Sequence, residues 1–471
     1  MLSNQVKYFS ITVLFAIFMY LLSQVGASLD ELAKNGFFKY FTNPNYFKES
    51  QLNDMYQTNA LLGLYKNKLI EIVFKICMAF SSLLVAVYLI FRFRGNGMWL
   101  FSMTLSIVFF GAVYYMLNIV VTYQVNEDNV SMIVSNEEQL ESFVFNAVAA
   151  SKEKGEAKLP IFVRTGIYIQ NIEFSSANNV IITGYVWQKY DYKKYDTTTI
   201  RKGFVFPEAE AYTITPAYAK NYPKEHFEVV GWNFQVTLRE TFDYSKYPFD
   251  FQNLWLRIWH TDFQQNVVLT PDFAAYDSLG FEQKPGIEEN LTLPGWDVAG
   301  TFFGYQEKTS KTNFGMPDFA GRENFPEFYF SVLLQRDFVS IFIPEIVPLF
   351  MVLVIMYVTL LVSYNRNAMG FFKFNVMELL ALVASVIFVL IFVQVDLRRK
   401  IPSEKLLYIE YYYFVLYFII FYILLDFAIL HNVNILEKLK IDNHLLIKVF
   451  FVPIVLGLIL LSTYFTFRQA Y

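Results

Sequence analysis

The chain offers few side chains for bond-making chemistry. Its only cysteine, Cys77, lies inside an apolar run, so neither an intrachain disulfide nor a cysteine-based zinc site can be assembled. The four histidines fall in no metal-ligand spacing, and no nucleophile–base pair or glycine-rich phosphate loop is present, which argues against an enzyme. No cofactor or metal is expected. The spacing that stands out is Glu378, Ala381, Ser385, Phe388, Phe392 and Val395, which a helix places on one stripe. Repeated around an axis, the stripe would present a carboxylate that attracts cations and a hydroxyl that touches a partly hydrated ion. Its aromatic rings would form a constriction that closes by dewetting. In a solitary helix the same residues are an end-of-helix carboxylate and ordinary packing aromatics. Glu71 and Lys75, spaced i, i+4, are placed to pair with each other.

The elements that carry these residues read as membrane helices. Of 471 residues, 55% are hydrophobic and 17% charged, against about a quarter charged in a soluble domain. A net charge of −4 without a basic stripe gives nucleic acid no purchase. A span needs about 20 mostly apolar residues, and candidates occur near 9–27, 69–91, 98–122, 338–362, 377–395, 407–430 and 445–465. The first ends in Val25-Gly26-Ala27, a small-residue pattern that also suits a cleaved signal; a retained helix is preferred. Arg92 and Arg94, Arg366 and Lys373, and Lys438 and Lys440 lie in short loops. The positive-inside rule then places the region from about Asn126 to Arg336, and the carboxyl terminus, outside a plasma membrane. Arg398, Arg399, Lys400 and Lys405 would face out as well, so they require partners there. Asp426 and Glu410 fall near the two ends of the sixth span.

The outside region reads as β structure. "LPIFVRTGIYIQNIEF", the turn "SSANN" and "VIITGYVWQKY" form a hairpin pattern, and further aromatic runs follow at "FEVVGWNFQVTLRETF", "QNLWLRIWH", "WDVAGTFFGYQEK" and "FPEFYFSVLLQR". Many short strands with polar turns predict an antiparallel sandwich. Residues 126–154 read as helix, and 28–68 as a polar, partly helical outer segment.

One order of motifs is specific. "FYFSVLLQRDFVSIFIPEIVPLF" runs from the last strand into a span without a linker, three spans follow, and "TFDYSKYPFDFQNLWLRI" sits inside the β region. Together these resemble the pentameric ligand-gated ion channels, the Cys-loop receptor family. Tyr247-Pro248-Phe249-Asp250 followed by Gln252 matches the signature loop. Glu240 and Leu254 stand where animal members carry the bridging cysteines, which prokaryotic members also lack. Arg336 matches the arginine before the first channel helix, Pro344 or Pro348 the proline early in it, and Pro402 the proline joining the second and third. The resemblance spans about 159–465. It does not cover the first roughly 125 residues, and a clear Trp-x-Pro is lacking; "GFVFPEAEA" is the nearest segment.

The resemblance implies an extracytoplasmic, immunoglobulin-like antiparallel β-sandwich at 126–336, a four-helix transmembrane bundle at 337–471, and an amino-terminal extension of two or three spans at 1–125. It implies a homopentamer in membrane lipid, weakly cation-preferring, gated by a small molecule or ion outside. The stripe Glu378–Val395 becomes the pore lining. Phe249 and Asp250 become the coupling loop, meeting Arg336 and the cationic stretch Arg398, Arg399 and Pro402. Ligand contacts fall on Trp259, Tyr305 and the tip of a capping loop at Phe314 or Phe319; in a chain with 19% aromatic residues, each of these read alone is better taken as core packing. The competing expectation is a non-conducting receptor or scaffold of the same fold, signalling through partner membrane proteins held by the amino-terminal spans.

Overall fold

β-Branched and aromatic residues alternating with polar ones favour a pleated, half-buried surface, and the middle of the chain takes that form. The computed structural model describes residues 2–34, 55–91, 96–121, 132–153, 159–194, 200–262, 265–308, 311–312, 314–315, 325–363, 376–431 and 445–468. Arg92, Arg94, Phe319, Arg366, Lys373, Lys438 and Lys440 lie outside the described residues, as does the side chain of Asp426.

Among the described residues are β1 (Met132–Val134), β2 (Ile161–Phe174), β3 (Asn179–Asp191), β4 (Phe204–Val205), β5 (Ala209–Tyr222), β6 (Phe227–Arg239), β7 (Phe251–His260), β8 (Val267–Pro271), β9 (Trp296–Lys308) and β10 (Phe325–Arg336). They form two five-stranded sheets, ordered β1-β9-β10-β7-β4 and β5-β6-β3-β2-β8. Every pairing is antiparallel except β2 with β8. Alternate residues of both sheets, among them Val163, Val186, Phe234, Leu256, Phe303 and Phe330, are buried in one apolar cluster.

Two sequence expectations change. The stretch read as continuous helix from 126 divides into β1, paired with the edge of β9, and a helix over Glu137–Glu153. Asn136 stops the strand: its Oδ1 accepts the amide of Gln139, 2.9 Å away, as an N-cap. β5 was not anticipated. It is an edge strand exposed on both faces, so its sequence carries no apolar alternation to read.

The helices are α1 (Leu2–Lys34), α2 (Met55–Phe91), α3 (Asn96–Val121), α4 (Glu137–Glu153), α5 (Val347–Ser363), α6 (Val376–Lys400), α7 (Tyr408–His431) and α8 (Leu445–Arg468). Among the described residues seven helices are long and apolar enough to cross a membrane, all of those named but α4. α1 continues unbroken through Val25-Gly26-Ala27, and α2 begins 14 residues before the predicted span, at Met55. A turn, Phe338–Ile341, and a π turn, Phe342–Ile346, lead from β10 into α5. Pro344 sits in that π turn, where its missing N–H is accommodated. The helices pack in sequence: α6 on α7, α7 on α5 and α8, α8 on α2 and α3, and α2 on α1. α6 and α1 thus stand at the two ends of this order.

Candidate functional site

The sheets meet the helices at the loop 240–250 between β6 and β7. Asp250 is buried, with 1% of its surface exposed. Arg336, the last residue of β10, grips it in a two-pronged contact: Nε donates to Oδ1 at 2.7 Å and Nη2 to Oδ2 at 2.9 Å. Gln252 Nε2 donates to the same Oδ2 at 2.8 Å and to the Asp243 carbonyl at 2.9 Å. Strand pairing puts Arg336 opposite Trp296, and the guanidinium lies 3.8 Å from that ring's centre and 4.8 Å from Tyr247's. A planar cation between aromatic faces and a matched carboxylate has little freedom to turn. The Tyr247–Pro248 bond is cis.

The helix side of the junction is anchored by main chain. The first N–H groups of a helix lack intrahelical partners; here Tyr408 N donates to the Ser245 carbonyl at 2.9 Å and Ile409 N to that of Tyr247 at 3.2 Å. The loop therefore caps α7 directly. Phe249 stacks on Phe338, centroids 5.3 Å apart, and leans on Tyr408 at 6.0 Å.

The cationic stretch finds its partners differently from the expectation. Arg398 does not reach the loop. Its Nε donates to Glu410 Oε1 at 2.6 Å, Nη2 pairs with Oε2, and Nη1 donates to the Ser403 carbonyl. Glu410 Oε2 also accepts the amide of Leu407 at 2.9 Å, closing the first turn of α7. Lys400 pairs with Asp396 at 2.8 Å, and Arg399 and Pro402 are exposed. Lys405 is the cation that meets the loop, through Asp243 at 2.8 Å. Glu410 and Asp243 were missed as partners. A Glu at the third position of a helix that follows an Arg-rich turn was the available signal for Glu410.

The predicted pore stripe falls on a single face of α6. Glu378, Ala381, Ser385, Phe388, Phe392 and Val395 are all exposed, Phe388 at 72% and Phe392 at 65%. Leu379, Val383, Val386, Leu390 and Leu397 form the opposite, buried face. Ser385 Oγ donates to the Ala381 carbonyl at 2.8 Å, so its hydroxyl is partly satisfied within the helix. Glu71 and Lys75 pair at 2.7 Å, as their spacing predicts.

The residues predicted to hold a ligand separate. Tyr305 is core: it is buried, stacks on Phe143 of α4 at 4.0 Å, and donates its hydroxyl to the Leu269 carbonyl. Trp259 and Phe314 do meet, edge to face, at 6.2 Å. The Arg257 guanidinium already lies 4.7 Å from the Trp259 ring centre. Glu327 gathers this group, accepting from Arg257, from Trp259 Nε1 at 3.1 Å and from the Tyr329 hydroxyl at 3.2 Å. A separate open cleft of about 710 Å³ lies between α4 and β2, walled by Leu140, Phe145, Leu159 and Phe162 with the Arg164–Glu137 pair at its side.

Two buried titratable groups flank these sites. Burial, reinforced by Glu208, pushes the Glu240 carboxyl up to about 8, and burial pushes His260 down to about 4. No protein-family profile matches the chain, and no curated protein matches it in sequence.

Proposed function

We propose that the chain is one subunit of a ring-shaped, ligand-gated ion channel of the pentameric type, with the two sheets forming an extracytoplasmic sandwich. On this reading 337–471 is the pore domain and 1–125 a membrane extension. The observation that carries it is the uncovered face of α6. Among the described residues that helix ends the packing order, and Ser385, Phe388 and Phe392 line one exposed side of it. Copies of α6 around an axis would turn this exposed side, with its hydroxyl and two aromatic levels, onto a shared central path. The Asp250–Arg336 clamp and the capped start of α7 then supply a lever: displacement of the sheets moves the loop, and the loop moves the α6–α7 linker. Glu378 at the far end of α6 favours cations. The Trp259–Phe314 corner, with Glu327 and Arg257, is the ligand-recognition end.

The test has two parts. Images of the purified particle are expected to show five copies around an axis with α6 innermost. In planar bilayers Phe388→Ala is expected to raise the leak current several-fold over the parent chain. A monomeric particle, or α6 at the lipid rim, overturns the proposal. The exposure of both Phe388 and Phe392 favours one alternative, since ten rings on two levels would crowd an axis. This second reading is a non-conducting receptor of the same architecture, and it is the outcome if five-fold particles pass no current in either form.

A further inference from the structure

The gating reading leaves the amino-terminal helices without a task, yet their packing converges on the junction. Ile70 and Cys77 of α2 and Ala112, Val113 and Met116 of α3 are buried in one cluster with Tyr408 of α7 and Leu460, Tyr464 and Phe467 of α8. Phe249 of the 240–250 loop packs on that same cluster. Phe74 of α2 lies flat against Tyr464, with centroids 3.9 Å apart and ring planes within 10°.

Tyr408 joins the two systems. Its amide is held by the loop carbonyl of Ser245, its ring touches Phe249 and Phe467, and its hydroxyl bonds Thr463 Oγ1 at 2.7 Å. The side chain is fully buried, in the same apolar cluster as residues of α2 and α3. A helix pair that merely anchored the chain in lipid could touch α8 anywhere along its length. This pair does pack at the far end, where Tyr88 and Phe101 meet Phe450, but only the Phe74 end contains elements of the coupling loop.

We propose that α2 and α3 are a built-in regulator of the junction. They act as a covalently attached auxiliary subunit that fixes the end of α8, Tyr408 and Phe249 as one packed unit. Moving them sideways loosens the loop from α7. The proposal rests on the junction being the coupling site, and it deepens that reading by naming what controls it. Interiors are close-packed, so a small shift of Phe74 is transmitted through Tyr464 and Phe467 to Tyr408 instead of being absorbed.

Peptide-level hydrogen exchange on the full chain in lipid nanodiscs tests this without requiring current. Phe74→Ala is expected to speed exchange in 243–250 and 405–412 by about tenfold or more, as expected for a local opening that loses a stacked aromatic pair. Phe101→Ala, at the far end of the same helix interface, is expected to change those peptides by less than about twofold. The milder Phe74→Leu guards against misfolding and is expected to fall between. Equal responses to Phe74→Ala and Phe101→Ala would mean the helices only brace α8, and no response to either would mean they do not reach the loop; each result overturns the proposal. Particle symmetry and bilayer current of the parent chain report separately on the channel reading.

Discussion

A carboxylate with 1% of its surface exposed costs several kcal/mol unless it is paired, and Asp250 meets that cost through Arg336. Arg336→Ala is expected to lose about 3–5 kcal/mol, because it strands a buried charge. Arg336→Lys keeps the charge but loses the fork and the stack on Trp296, so a smaller loss is expected. Thermal unfolding in mild detergent compares the three chains; equal midpoints for the lysine variant and the parent would refute the geometric account. Glu240 gives a pH-dependent case. Its folded value, raised to about 8, keeps it protonated where the unfolded chain is already ionised. Its stabilising contribution is therefore full below the ordinary carboxylate range and is lost as pH rises toward 8. Glu240→Gln is expected to flatten the fall in melting temperature between about pH 5 and 8, and to raise it by about 3 °C or more at pH 8. A parallel pair of melting curves against pH would contradict this.

Among the elements, α6 has two faces with opposite sensitivities. Leu390 is buried against its own chain and Phe388 is not. Leu390→Ala is expected to cost about 2–5 kcal/mol through transfer and cavity terms, read as a lower unfolding midpoint. Phe388→Ala is expected to leave the midpoint of the isolated subunit within about 1 kcal/mol, the usual range for an uncovered position. Equal losses at both sites would place Phe388 in a packed core. β5 shows why some elements escape sequence reading: an edge strand half free of both neighbours and core has no period to betray it. β9 and β10, in the middle of their sheet, were delimited by their aromatic alternation to within a residue.

At the scale of the whole molecule, composition and apolar length already marked the chain as membrane-spanning with a β-rich region between two groups of helices, because burial from water constrains every residue of a span and alternate residues of a strand. The stripe on α6 was equally legible, since 3.6 residues per turn place its members on one face wherever the helix lies. Partner choice was not legible. Charge alone lets Arg398 pair with Glu410 or with the loop carboxylates, and only the turn 401–407 decides that it closes on Glu410 while Lys405 takes Asp243. Tyr305 and Trp259 are aromatic residues of similar strand context, but α4 stacks on Tyr305, which is fully buried, while Trp259 stays half-buried. The docking of α2 and α3 on Tyr408 joins residues some 300 positions apart. The sequence by itself determined what local periodicity and transfer free energy enforce. The tertiary structure alone decided which charge meets which, and which helices share a core, because those depend on distances between segments that no spacing along the chain encodes.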